Sequence, residues 1–264
     1  MNVLKFELKR YIPSSLIWAL SLTFFGVVCI QLYVSFSSDM NFFESMLKAY
    51  SPETLKALGA ELSTINTLTG FYGFCFMYVM VAAAFQAMYL GIHVVGKEMS
   101  LKTADFLYTK PISHISVLTQ KIISVLICLL IMNIIYCIGT YLSALMTNLE
   151  FDTTILLTMN ASMFLTQLLF FSIGFLLGCV IKKVKTPLTL TTGIVCSFFL
   201  LQMIVNLEPD GILSYFSLLS YLSAESIMSH GGFDMIYLCI LSILSIGSLV
   251  GAYYYFNHRD IQAL

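Results

Sequence analysis

Six stretches of the chain, residues 11–38, 62–96, 122–149, 153–181, 186–206 and 235–258, contain no Asp, Glu, Lys or Arg, and the shortest has 21 residues. About 20 helical residues cross a hydrocarbon core of ~30 Å. Inside that core a backbone must satisfy its own N–H and C=O groups, as a helix or as a closed barrel. Barrel strands alternate in and out over about 10 residues. These runs are longer and show no such alternation, so they read as helices. Composition agrees, with 10% charged residues against the ~25% of a soluble domain. The expectation is an all-α polytopic membrane protein with six transmembrane helices, near 14–34, 70–94, 118–145, 154–181, 187–206 and 235–256. No polar segment is long enough for a separate soluble domain, so residues 1–264 read as a single transmembrane domain. A seventh run, 211–224, is too short to cross and reads as an interfacial or re-entrant piece. The first run is too long for a signal-peptide core and no A-x-A site follows it, so it reads as a retained span.

Six spans put both ends on one side. If that side is the cytoplasm, eleven of the thirteen basic residues fall inside and only Lys48 and Lys56 fall outside. Lys and Arg in short loops set orientation, so both termini and the segment between spans two and three are expected to be cytoplasmic. Adding or removing a span would scramble this separation.

Several chemistries find no support. No Asp, Glu, Lys or Arg sits deep in a run, which argues against an ion-coupled transporter built on a membrane carboxylate. His93 is the ionisable side chain within a run, near its inner end, where snorkelling to the interface explains it. Gly91 to Lys97 fits G-x-x-x-x-G-K, but Glu98 stands where a phosphate loop needs Ser or Thr, and a carboxylate there would repel triphosphate. The seven cysteines all lie in spans, with no C-x-x-C, and read as small apolar residues. Two G-x-x-x-G pairs, Gly174/Gly178 and Gly247/Gly251, permit close helix approach, within the chain or across a dimer. Phe43, Met46, Leu47, Tyr50, Leu55 and Leu58, with Pro52 interrupting, suggest amphipathic turns on the outer leaflet that gate a path or cover helix ends.

Residues 96–122 are the exception to this apolar pattern, with four lysines, a glutamate and an aspartate between two spans. Glu98 and Lys102 are spaced i, i+4 in the favourable order for a helix, and Pro111 ends it. A short cytoplasmic helix lying on the membrane face results. The segment resembles the signature region of ABC-2 type permeases, roughly E-x-E-x-G-T-L-x-x-L-L-x-x-P-[VI]-S-R with a lysine seven residues on. Glu98, Thr103, Leu107, Pro111-Ile112-Ser113 and Lys121 match. Ser100, Lys102, Ala104 and His114 depart from it. The start, LKFELKRYI, resembles the family's N-terminal amphipathic elbow helix. The end resembles its closing F-x-x-R-D-[IL], through Phe256, Arg259, Asp260 and Ile261.

The resemblance implies a coupling helix between spans two and three that docks on a separate ATPase subunit. Glu98, Leu101, Lys102, Thr103, Phe106, Leu107 and Pro111 would make the ATPase coupling, and Lys121, Arg259 and Asp260 belong to cytoplasmic family motifs. It further implies two permease chains and two ATPase chains in the bacterial cytoplasmic membrane, exporting a peptide, antibiotic, lipid or ion. A role in antibiotic resistance is included. No cofactor is expected on this chain, ATP and Mg being held by the ATPase. No catalytic residue, metal site or nucleic-acid partner is expected. The rival readings are an ATPase-independent secondary transporter or channel, an intramembrane enzyme, and a docking scaffold.

Overall fold

The computed structural model describes residues 3–37, 45, 49–60, 64–100, 114–181, 186–208 and 211–257, with backbone alone at 97–100, 114 and 257. Six of its helices are long and apolar enough to cross a membrane. They are α1 (Val3–Ser37), α3 (Leu68–Ser100), α4 (His114–Met146), α5 (Thr153–Val180), α6 (Pro187–Val205) and α8 (Met235–Asn257). Two short helices, α2 (Pro52–Ala57) and α7 (Ala224–His230), and a 3-10 turn, Ile212–Phe216, lie between spans. No strand occurs among the described residues. The chain is an all-helical, multi-pass membrane protein.

Local chemistry sets several helix limits. Asp152 caps α5, its carboxylate accepting from the N–H groups of Thr154 and Ile155 at 2.9 and 3.0 Å, which satisfies two of the four orphan donors at a helix start. Pro187 opens α6, where a missing N–H costs nothing. Pro52 likewise opens α2 behind the Ser51 cap, so it starts a helix at the point where an interruption was expected. α2 covers the end of α6: the Lys56 ammonium donates to the Leu207 carbonyl at 3.1 Å and the Asn206 amide donates to the Ala57 carbonyl at 3.2 Å. The 211–224 run holds one 3-10 turn and further turns, and crosses nothing.

At the N-terminus α1 runs unbroken from Val3 through Pro13 to Ser37, so residues 4–12, expected as a separate elbow, are its opening turns. At the other end of the expected coupling region, α3 continues through Lys97 and Glu98 to Ser100 as one helix with the span.

The most extensive helix contact is between α3 and α5. Its cause is glycine. A Cβ on Gly91 would lie 2.5 Å from the Phe171 carbonyl oxygen, and one on Gly174 would lie 2.5 Å from the Met88 carbonyl oxygen. Gly178 meets Ile92 in the same way at 3.0 Å. The backbones touch with no side chain between them. This resolves two sequence motifs at once: the phosphate-loop lookalike supplies a packing glycine, and the first G-x-x-x-G pair serves contact within the chain. Among the described residues, a Cβ on Gly247 of the second pair would meet nothing within 4 Å, and one on Gly251 would meet only Leu176, at 3.5 Å. A second close pair joins α1 to α4, where a Cβ on Gly139 would strike Thr23 and one on Gly26 would strike Thr140. α6 then leans on α3, and α8 on α5. Their outer faces, including Leu200, Ile204, Ile243 and Ile246, are exposed, as lipid contact requires. Of the cysteines, Cys29, Cys75, Cys128 and Cys179 are buried, whereas Cys196 and Cys239 are on these outer faces.

Gly91→Val is expected to destabilise the protein by at least the ~1–3 kcal/mol of overpacking, because the clashing atoms are backbone. Gly193→Ala, with open space around it, is the control. Thermal melts in detergent should show a lowered midpoint for the first and none for the second. Equal melts would dismiss the glycine contact as the basis of this interface.

Candidate functional site

A buried ion pair lies at the end of the bundle that adjoins residues 101–113. Lys121, on α4, is 2% exposed and Glu7, on α1, is 2% exposed. The Lys121 ammonium donates to Glu7 Oε1 at 2.9 Å and to the Val94 carbonyl of α3 at 2.9 Å. Three helices therefore meet on one ammonium. A buried charge is tolerated when it is paired and hydrogen-bonded, and the Val94 carbonyl supplies a second acceptor. The sequence places Lys121 at the membrane re-entry. The structure puts it inside α4, two turns past His114.

Its neighbours reach further helices. The Gln120 side-chain oxygen accepts from the Leu4 N–H at 3.2 Å, satisfying an orphan donor at the start of α1. The Thr119 hydroxyl pairs with the Tyr253 hydroxyl of α8 at 2.8 Å. Successive residues of a helix point about 100° apart, so residues 119, 120 and 121 bind α8, the start of α1, and the α1–α3 junction respectively. Close by, the Tyr11 hydroxyl lies 3.3 Å from His93 Nδ1, and Tyr89 stacks on the His93 ring at 5.4 Å. His93 is thus half-buried against aromatic partners.

Deeper in the bundle, two polar layers join α3, α4 and α5. In the first, the Tyr72 hydroxyl donates to Asn160 Oδ1 at 2.7 Å. Its single proton is then committed, so in the 2.9 Å pair with Tyr136 it is Tyr136 that donates. The Asn160 amide donates to the Thr140 hydroxyl at 3.1 Å, and that hydroxyl donates to the Tyr136 carbonyl at 2.9 Å. In the second layer the Asn133 amide donates to Gln167 Oε1 at 2.6 Å, and the Gln167 amide to Gln86 Oε1 at 3.3 Å. All of these side chains are buried. Counting charges alone passes over them. Amides are the signal that would have found them, since Asn and Gln in a lipid-embedded run must find partners across helices. Glu7 was missed for another reason: nothing in the sequence near it names a residue 114 positions away.

Of the coupling residues expected from sequence, Glu98 is in the last turn of α3. Leu101, Lys102, Thr103, Phe106, Leu107, Pro111, Arg259 and Asp260 lie outside the described residues. No group of three or more His, Cys, Asp or Glu side chains suited to a metal ion occurs among the described residues.

Lys121→Met should leave the Glu7 carboxylate buried without its cation and cost about 3–5 kcal/mol, whereas the Glu7→Gln, Lys121→Met double variant should recover most of that loss. Thermal melts of the two variants in detergent make the comparison, and equal destabilisation of both would refute the pairing. Asn160→Leu removes two interhelical bonds. At the ~0.6 kcal/mol average and ~1.7 maximum for such bonds in membranes, its cost should stay near 1–3 kcal/mol, below that of Lys121→Met, in the same assay.

Compared with known families, residues 1–261 match the family described as ABC-2 family transporter protein. No curated protein matches the chain.

Proposed function

From the premise that this chain belongs to the ABC-2 transporter family, we propose that it is the permease subunit of a bacterial ABC exporter. A separate ATPase subunit binds ATP and Mg and hydrolyses the nucleotide. This chain converts the resulting displacement into a change of access across the membrane. The complex contains two permease chains and two ATPase chains in the cytoplasmic membrane. Both termini and residues 96–121 face the cytoplasm. The cargo is a peptide, antibiotic, lipid or ion, and resistance to an antimicrobial compound is one consequence of exporting it.

The observation that carries this reading is the triple attachment at Thr119, Gln120 and Lys121. Residues 101–113 join α3 to α4 and hold the coupling motif. A push on that segment acts on the start of α4. From there the three attachments pass it to α8, to the start of α1, and to α1 and α3 together. A polar loop alone needs no such rigid seat. A transmitting segment does, because a compliant attachment would absorb the motion. Glu98, at the end of α3, Arg259 and Asp260 serve assembly or ATPase contact in this reading and not cargo binding.

Within the coupling segment, shape outweighs charge. An exposed ion pair contributes about 0–1 kcal/mol, and burying a Leu or Phe side chain about 1.5–3 kcal/mol. Leu101, Phe106 and Leu107 are the side chains that dock, Thr103 and Pro111 shape the segment, and Lys102 and Asp105 are individually dispensable. Leu107→Ala should weaken ATPase retention about tenfold, since ~1.4 kcal/mol is a factor of ten. Lys102→Ala should change it severalfold at most, and less at high salt. The readout is the ATPase retained on tagged permease at two salt concentrations, and release by Lys102→Ala with retention by Leu107→Ala reverses the conclusion.

Orientation has its own check. Ser100→Cys in a cysteine-free background should resist an impermeant thiol reagent in intact cells and react after lysis. Labelling from outside would turn the topology over.

A further inference from the structure

Two of the buried cysteines belong to different helices, Cys29 to α1 and Cys75 to α3. They are 3% and 8% exposed. Aromatic contacts between these helices show how they face each other. Tyr11 meets His93 at 6.0 Å between ring centroids, Trp18 meets Phe85 at 6.2 Å, and Tyr33 meets Phe71 at 5.7 Å. Twenty-two residues separate Tyr11 from Tyr33, and twenty-two separate His93 from Phe71. The helices are therefore antiparallel and keep an even register along their length. Eighteen residues on from Tyr11 is Cys29, and eighteen back from His93 is Cys75. Eighteen residues make five whole turns at 3.6 per turn. Cys29 thus returns to the face of Tyr11, Cys75 returns to the face of His93, and the two cysteines stand opposite each other. Their side chains are within hydrogen-bonding reach of one another.

A hydroxyl layer borders the pair. Tyr72, one turn before Cys75, shares a 2.9 Å hydrogen bond with Tyr136. A Cβ on Gly26, one turn before Cys29, would lie 3.1 Å from that same Tyr136 hydroxyl. Both cysteines are placed beside one layer from their own helices. Cys29 is eight residues before the end of α1 and Cys75 seven residues after the start of α3, about 10–12 Å inside that end of the bundle. On the orientation proposed above, that end is the outer one, away from the reducing cytosol.

Buried cysteines are ordinarily inert, because the thiolate is the reactive form and apolar surroundings disfavour it. Contact between two of them changes the outcome. Once one sulfur is oxidised, the second step is intramolecular and already positioned. Its product is a neutral disulfide, which hydrocarbon accepts, whereas a monovalent metal held by two thiolates would leave an unpaired buried charge.

We propose that Cys29 and Cys75 form a redox-active dithiol that hydrogen peroxide closes to a disulfide, tying α1 to α3. One sulfur attacks peroxide: an S–O bond forms, the O–O bond breaks, and the departing hydroxide leaves as water with the thiol proton. The other sulfur displaces the sulfenic hydroxyl: the S–S bond forms, the S–O bond breaks, and a second water carries off the remaining thiol proton. The two sulfurs lose two electrons in all, and the peroxide gains them. Lys121 joins the same two helices near their other ends, through Glu7 and the Val94 carbonyl. The oxidised protein therefore holds α1 against α3 at both ends.

The chain supplies its own markers for the test. Trypsin cuts after Lys and Arg, so the unfolded protein yields peptide 11–48, whose one cysteine is Cys29, and peptide 57–97, whose one cysteine is Cys75. Peptides 122–182 and 186–259 hold the other five cysteines. The purified wild-type permease in nanodiscs, without ATPase, is treated with hydrogen peroxide, blocked with N-ethylmaleimide, unfolded, digested and read by mass spectrometry. The linked species 11–48/57–97 should rise at least tenfold over untreated protein. It should also exceed by at least tenfold any link from either peptide to 122–182 or 186–259. Dithiothreitol should separate it. Cys29→Ala should abolish it and leave Cys75 alkylated. Protein unfolded in dodecyl sulfate before peroxide should give mixed links instead. Absence of the linked species from the folded wild-type protein overturns the proposal, as does oxidation of Cys29 or Cys75 to sulfinic acid in its place. Links to the other peptides in equal yield overturn it too, and so does the same preference in protein unfolded before oxidation. None of these readouts involves transport or orientation, so they stand or fall apart from the function proposed above.

Discussion

The backbone of α3 lies directly on the backbone of α5, and the rest of the bundle is arranged around that contact. Lipid tails are as apolar as leucine, so the hydrophobic effect that drives helices together in water is weak here. Close van der Waals approach and interhelical hydrogen bonds take its place. Gly91, Gly174 and Gly178 allow the approach. Once the two helices are that close, Gln86 and Gln167 come within hydrogen-bond reach, and so do Tyr72 and Asn160. The polar layers are consequences of the glycine contact and they reinforce it. Where no such contact forms, as along the exposed face of α8, the helix surface remains aliphatic.

The two ends of the bundle are built differently. At the Lys121 end the polar groups are paired tightly across four helices, and the first turns of α4 are held on three sides. At the other end several serine hydroxyls bond to carbonyls within short turns beside an open cleft of about 530 Å³. Tyr221 stacks on Tyr237 beside that cleft at 5.1 Å, and burial together with the Tyr237 phenol pushes the Tyr221 phenol above its ordinary pKa. Tyr221 is thus the protonated donor of its hydrogen bond to the Tyr215 carbonyl. Continuous helices join a tightly paired end to an open one.

Charge-free runs of at least 21 residues fixed the class of fold, because hydrocarbon admits no unsatisfied backbone and the chain offers no alternation for a barrel. The family too was readable, from Glu98, Thr103, Pro111 and Lys121 at their spacing and from the residues near each end. The helix limits were less so. Pro52 read as an interruption because proline excludes a preceding helix, yet a proline at the first helical position fits equally well, and only the Ser51 cap decides between them.

Pairing across the bundle belongs to the tertiary structure alone. Lys121 looked like a residue of the membrane surface; the approach of α1 and α3 makes it a buried cation with an acceptor on each of them. Gly91 looked like part of a phosphate loop, and the nearness of α5 makes it a contact point. Sequence periodicity records how each segment faces its solvent. It carries no term for the partner that a residue meets a hundred positions away, and in a membrane those meetings decide where every buried polar group rests.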